Sequence, residues 1–202
     1  DTLKALAAST VIGLSSFTGF EAIDATGFAG VSVVLGGGDD LIDLTVVTAT
    51  NLAAISGGAG ADTFVGSSAN DTFNGDDGDD AFFASAGADA YAGGLGNDSL
   101  KATANNQIIS LRSIAGVETI TANGFTGVTL AGTTAADTLD LSSTTLVGIG
   151  KIDGGAGNDV IIGTAGADLL DGGANDDTLN GGDGGDVITY GASGGIDAVN
   201  GG

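Results

Sequence analysis

Carboxylates in strict register are what this sequence offers to chemistry. Asp62, Asp71, Asp80, Asp89 and Asp98 recur at every ninth residue, and Asp159, Asp168, Asp177 and Asp186 repeat the spacing later in the chain. Each closes a six-residue stretch rich in Gly, Asn, Ala and further Asp. A short-armed Asp beside a carbonyl-rich Gly turn presents hard oxygens, the donor set of a divalent ion such as Ca²⁺, which takes six to eight of them. The acids are lopsided, since 24 of the 26 are Asp and only Glu21 and Glu118 are Glu. Solvated helices favour Glu, whereas Asp beside Gly suits tight turns. A lone Asp-Gly turn would need no metal, because its carboxylate can cap its own loop and face water. Nine in register, with only four Lys and Arg to offset them, point to metal instead. Like charges stacked at a strand spacing of about 5 Å would otherwise oppose folding more with every copy.

The residues that are missing exclude most other chemistry. With no His and no Cys, the chain has no usual zinc site, thiol nucleophile, Ser/His/Asp triad or haem ligand set. We therefore expect no catalytic residue, no organic cofactor and no enzyme. A net charge of -22 repels phosphate backbones and anionic membranes, so nucleic acid and membrane insertion are not expected and cations are the natural partners. The sequence contains no run of 18 apolar residues, and Asp1 to Leu14 lacks a basic n-region, so neither a transmembrane helix nor a signal peptide is expected in it. The absence of Cys leaves the redox compartment open. An apolar content of 42% is too high for an acidic disordered tail.

The elements that must position these carboxylates follow from the same period. Residues 57–101 divide into GGAGADTFV, GSSANDTFN, GDDGDDAFF, ASAGADAYA and GGLGNDSLK, and residues 154–189 into GGAGNDVII, GTAGADLLD, GGANDDTLN and GGDGGDVIT. Position eight is large and apolar: Phe64, Phe73, Phe82, Tyr91 and Leu100, then Ile161, Leu170, Leu179 and Ile188. Glycine permits left-handed turn angles, and a triplet with one inward side chain suits a short strand. An apolar spacing of nine, with Gly this frequent, disfavours helix. One such strand buries a single face, so two nonapeptides should complete each turn of a solenoid whose successive turns pair as parallel strands. The aromatic residues are then core fillers, not a ligand-stacking strip. After a slip at Tyr190 and Gly191, a weaker copy carries Asp197 and Val199.

A longer period of 97 residues emerges when residues 12–57 are laid over 109–154. Gly19, Glu21, Ile23, Gly27 and Phe28 fall on Gly116, Glu118, Ile120, Gly124 and Phe125, and Asp40, Ile42 and Asp43 on Asp137, Leu139 and Asp140. The expected organisation is one continuous solenoid of two superrepeats, 1–97 and 98–202, with acidic repeat blocks at 57–101 and 154–202, cut from a longer repetitive polypeptide. Segments 5–56 and 102–153 would continue the coil with looser turns. In the second segment Ile109, Ile120, Leu130, Leu139 and Ile149 mark the strand centres. A small β-sandwich in each segment is the competing arrangement. At roughly 20 residues per turn and about 4.8 Å between strands, the chain would make about ten turns.

The nine copies of GGxGxDxUx resemble the repeats-in-toxin (RTX), or haemolysin-type calcium-binding, nonapeptide. The resemblance implies an all-β, right-handed parallel β-roll whose turns hold several Ca²⁺ ions between coils 18 residues apart. Carried onto this sequence, it pairs Asp62 with Asp80, Asp71 with Asp89, Asp80 with Asp98, Asp159 with Asp177 and Asp168 with Asp186. Carbonyls would come from Gly57, Gly60, Gly75, Gly78 and Gly93 in the first block, and from Gly154, Gly157, Gly163, Gly172 and Gly181 in the second. Departures from the pattern, Ala69 and Asn175 at position four and Ala84 at position one, mark weaker sites. Asp40, Asp137 and Asp197 stand at equivalent positions in degraded copies.

The functional expectation is a calcium-binding structural segment of a large secreted or cell-surface bacterial protein, such as an S-layer protein, adhesin or fibre. It would fold on Ca²⁺ outside the cell, leave by type I secretion and associate with itself or with neighbouring repeats. The alternative is the non-catalytic C-terminal block of a type I-secreted hydrolase or toxin, against which the superrepeat weighs. A glycan- or ice-binding face is a third reading. For ice, Thr63, Thr72 and Thr178 form no ladder. The glycosylation triplets at Asn70 and Asn97 arise from the repeat itself.

Overall fold

The computed structural model describes residues 1–189 and 195–202, and the slip at Tyr190 and Gly191 lies outside them. The described chain is all-β without helix, and its parallel strands stack as a solenoid of about ten turns, as a β-roll requires. One face is a single ten-stranded sheet running in sequence order from Val11–Gly13 through Leu52–Ala59, Thr72–Asp77, Ala88–Leu95, Ile108–Ala115 and Ile149–Asp153 to Val187–Thr189. Segments 5–56 and 102–153 thus add strands to the same sheet as the acidic blocks. The opposite face is divided among three sheets of three, six and four strands.

In the acidic blocks, triplet strands form around a large apolar middle residue, whatever the residues that flank it. Thr63–Val65, Ala81–Phe83 and Ser99–Lys101 each turn only the middle side chain inward. Phe64, Phe82 and Leu100 are wholly buried and pair in register across coils. From the long sheet, Phe73 and Tyr91 pack against them. The Phe64 and Phe82 rings stack at 4.9 Å and Tyr91 meets Phe82 edge-on at 5.4 Å, geometries that add to simple burial. The same core runs on through Ile109, Ile120, Leu130 and Leu139 to Leu179. Ile149 is the exception. It is only half-buried, and Ile152 takes the inward position of its strand, because the pairing with Val128–Ala131 shifts register between Val128 and Thr129.

The divided face has a specific origin. Leu41–Asp43 pairs only with the following coil, at Thr63–Val65, whereas Thr48–Thr50, only a few residues later, pairs only with the preceding one, at Ala22–Asp24. The superrepeat reproduces this, with Thr138–Asp140 joined forward to Val160–Ile162 and Thr145–Val147 joined back to Thr119–Thr121. One coil in each superrepeat therefore carries an extra strand. Backbone angles share the period, since Asn51 and Gly148 both take positive φ (55° and 73°), as do Ser9 and Asn106 (53° and 55°). At Asn175, in the position that Gly holds in neighbouring repeats, φ is 81°; an Asn tolerates this left-handed conformation better than most residues.

Candidate metal centre

Each nonapeptide turn ends on its position-six Asp immediately before a strand, or at Asp89 just inside one, so stacking the strands stacks the carboxylates. The backbone N–H of Asp62 donates to Oδ1 of Asp80 at 2.8 Å, that of Asp80 to Asp98 at 2.8 Å and that of Asp159 to Asp177 at 2.8 Å. On the other edge Asp71 N–H donates to Asp89 at 2.9 Å and Asp168 N–H to Asp186 at 3.0 Å. The partners that sequence spacing pairs at 18 residues are thus direct neighbours. The degraded copies join the same ladder: Asp40 donates to Asp62, Asp137 to Asp159, and Asp177 to Asp197.

Only one carboxylate oxygen is used by that ladder. Asp62, Asp80, Asp98, Asp159 and Asp177 are at most 2% exposed. In each of them, and in half-buried Asp186, Oδ2 is buried without a hydrogen-bond partner. A buried oxygen left this way costs about 1–3 kcal/mol, and more when charged. The space beside it is held open by glycine. A Cβ on Gly75 would collide with Oδ2 of Asp80 and the carbonyl of Gly93, and one on Gly93 with Oδ2 of Asp98 and the carbonyl of Gly116. Gly154 and Gly181 are bounded in the same way by Asp159 with Gly172 and by Asp186 with Gly201, while Gly57 and Gly172 abut Asp62 and Asp177. Each cradle thus brings together an unpartnered carboxylate oxygen and, in four of the six, a carbonyl from the next coil. No three acidic side chains converge on one point among the described residues, so an ion here would draw the rest of its shell from backbone carbonyls. That mixed set of hard oxygens suits Ca²⁺. The glycines at position four are crowded by backbone instead: Gly60 by Gly38, Gly78 by Gly60 and Gly157 by Ala135.

Electrostatics follow from burial. Loss of water pushes the carboxyl pKa of Asp80 up to about 6, and the neighbouring Asp98, Asp62 and Asp76 add to the shift. Burial raises Asp62, Asp98, Asp159 and Asp177 for the same primary reason, reinforced by adjacent acids. Asp71 is also raised by burial, but Ser67 and Arg112 oppose the shift. Away from the turns, burial disfavours the charge on Lys151, yet hydrogen bonds from its ammonium to Asp153 and Asp171, at 2.8 and 2.6 Å, push its pKa up.

Residues 56–91, 65–100 and 153–188 match the RTX calcium-binding nonapeptide repeat. The chain carries RTX calcium-binding nonapeptide repeats. The matched RTX segments contain every orphaned carboxylate. A comparison with curated proteins finds no match.

The nonapeptide pattern does not reveal three further groups. Glu118 replaces Asp as the rung above Asp98, accepting its N–H at 2.7 Å across a 20-residue coil. Glu21, one superrepeat earlier, meets the amino group of Asp1. These are the only two Glu in the chain, and their match at 97 residues was the available signal. Position five forms a second ladder in the opposite sense. Asp39 accepts from Ala61 N–H, Asn70 from Ala88, Asp79 from Asn97 and Asp176 from Ile196, at 2.7–2.9 Å. Finally, Asp71, Asp89, Asp137 and Asp168 differ from the orphaned set, because Ser67, Ser85, Thr133 and Thr164 hydrogen-bond to their Oδ2.

Proposed function

We propose that this chain is a calcium-clamped structural segment of a secreted or cell-surface protein, and that Ca²⁺ is what folds it. The supporting observation is the row of buried, unpartnered Oδ2 atoms in glycine cradles. Asp62, Asp80, Asp98, Asp159, Asp177 and Asp186 would supply carboxylate oxygens, and glycine carbonyls of the adjoining coil would supply neutral ones. A bound divalent ion neutralises the carboxylates and ties one coil to the next. The side chains and carbonyls of this chain do the rest, by holding hard oxygens in place and keeping their flanks dry.

Binding then becomes folding free energy. A site whose Ca²⁺ is tenfold above its Kd adds about 1.4 kcal/mol, and six independent ones about 8 kcal/mol, comparable to the whole stability of an ordinary domain. Extracellular modules bind Ca²⁺ near about 10⁻⁴ to 10⁻³ M. With such affinities the chain stays open in the cytosol, passes through a type I secretion channel, and stiffens outside. A role in a surface layer, adhesin or fibre follows from the superrepeat, which suits tandem extension and lateral association. Circular dichroism in EDTA and in millimolar CaCl₂ tests the reading. We expect a coil-like spectrum without metal and a β-rich one with it. An unchanged β-rich spectrum in EDTA would defeat it.

A further inference from the structure

The turns fall into two kinds, and position two separates them. In the turns closing on the orphaned carboxylates, position two is Gly58, Asp76, Gly94, Gly155, Gly173 or Gly182, all with positive φ between 75° and 116°. In the other kind it is Ser67, Ser85, Thr133 or Thr164, none of which has positive φ. Their hydroxyls turn inward: Ser67 Oγ donates to Asp71 Oδ2 at 3.0 Å, Ser85 Oγ to Asp89 at 2.8 Å, Thr133 Oγ1 to Asp137 at 2.8 Å and Thr164 Oγ1 to Asp168 at 3.0 Å. The backbone N–H groups of Ser67, Thr133 and Thr164 donate to the same oxygens. Tyr91 Oη adds a further bond to Asp89 at 3.0 Å. The Oδ2 that stands bare in one kind of turn is saturated by its own chain in the other.

We propose that the residue at position two decides which turns take calcium: those closing on Asp62, Asp80, Asp98, Asp159, Asp177 and Asp186 are loaded, and those closing on Asp71, Asp89, Asp137 and Asp168 are held shut by their own Ser or Thr. The inference rests on the calcium reading above. A left-handed residue at position two turns its N–H away from the carboxylate, whereas Ser or Thr in an ordinary conformation brings both N–H and O–H to it. Donors aimed at an oxygen replace the attraction that a cation would provide and occupy its approach. Through the first block the loaded turns all precede strands of the divided face, and both shut turns precede strands of the long sheet. Arg112 reinforces the shut edge, where its Nη2 donates to the carbonyl of Asp71 at 3.2 Å and to Thr72 Oγ1 at 2.6 Å. That carbonyl is thus engaged by a fixed cation. The first block is therefore clamped along one edge only.

Counting bound ions by native mass spectrometry on the full chain in saturating Ca²⁺ tests this. D71N and D168N should each keep the parent's ion number, while D80N and D177N should each lose at least one ion. T164G, which removes the hydroxyl and permits positive φ, should gain one, and T164S should match the parent. An ion loss from D71N or D168N equal to that from D80N would overturn the assignment, as would a T164G count no higher than the parent's. A parent chain that binds no Ca²⁺ would instead overturn the calcium reading itself, and this inference with it.

Discussion

At the residue scale the controlling fact is an Asp whose two oxygens have different fates. Oδ1 accepts an N–H from the previous coil, which is worth a net stabilisation of about 1.5–3 kcal/mol for a charged acceptor, while Oδ2 is either bare or capped by a hydroxyl. Burial raises the pKa values of bare Asp62, Asp80, Asp98, Asp159 and Asp177, that of Asp80 from 3.8 to about 6. A carboxyl whose pKa is higher in the folded chain holds a proton that the unfolded chain has released. Its contribution is complete below about pH 4 and is lost as pH rises through about 6. Asp24 and Asp140, lowered mainly by hydrogen bonds from Thr26 and Ser142, act in the opposite sense but lie on the surface, where such effects are small. The metal-free chain should therefore retain more structure at pH 4.5 than at pH 7, and Ca²⁺ should reverse the order. Urea titrations in EDTA at the two pH values check this; equal midpoints would show that the bare carboxylates are not what destabilises the chain.

At the element scale, each triplet strand of the first acidic block turns a single side chain inward, so the core there has little redundancy across its width. Phe82 stacks on Phe64, meets Tyr91 edge-on and pairs with Leu100 of the next coil. Phe82→Ala should cost about 3–5 kcal/mol in the calcium-loaded chain, read as a lower urea midpoint, with a cavity that no neighbour can fill without moving a whole rung. A cost below about 1 kcal/mol would mean that the coils relax independently. The extra strand at Leu41–Asp43, repeated at Thr138–Asp140, belongs to the same scale. It breaks the hydrogen-bonded ladder on one face while the long sheet remains continuous, leaving that sheet as the part that carries connectivity through the acidic and the apolar segments alike.

At the scale of the whole molecule the balance is between a long core and a net charge of -22. Without divalent ions, mutual repulsion favours an expanded coil with a radius of gyration on the order of 50 Å for this length. Salt at 1 M shortens the screening length to about 3 Å and removes that repulsion, but it supplies no ligand to the bare oxygens. Small-angle scattering in EDTA should therefore show partial compaction from 0.1 to 1 M NaCl, stopping short of the dimensions reached in millimolar Ca²⁺. Full compaction by NaCl alone would mean that charge, and not coordination, holds the coils apart.

The nonapeptide period was sufficient to place the triplet strands and inward residues of the divided face in the first acidic block, because glycine conformation and strand alternation are local properties. On the long sheet, however, Thr72–Asp77 and Ala88–Leu95 extend into the expected turns, and Val199 of the weaker copy is exposed. The same spacing named the stacked partners, since Asp62 and Asp80 are separated by one coil of 18 residues. Where coils lengthen, the local pattern fails. It assigned Ile149 to the core, but a register shift places Ile152 there, and it showed neither the strand that pairs backward at Thr48–Thr50 nor Glu118 as the rung above Asp98. The residue types at position two stand in the sequence, but their effect on the carboxylate, a hydroxyl bonded to Oδ2 or none, emerges only in three dimensions. Whether Oδ2 is bare or capped depends on φ at position two and on where a hydroxyl there points once the turn closes, and the face does not decide it, since bare Asp186 and capped Asp168 both precede strands of the long sheet.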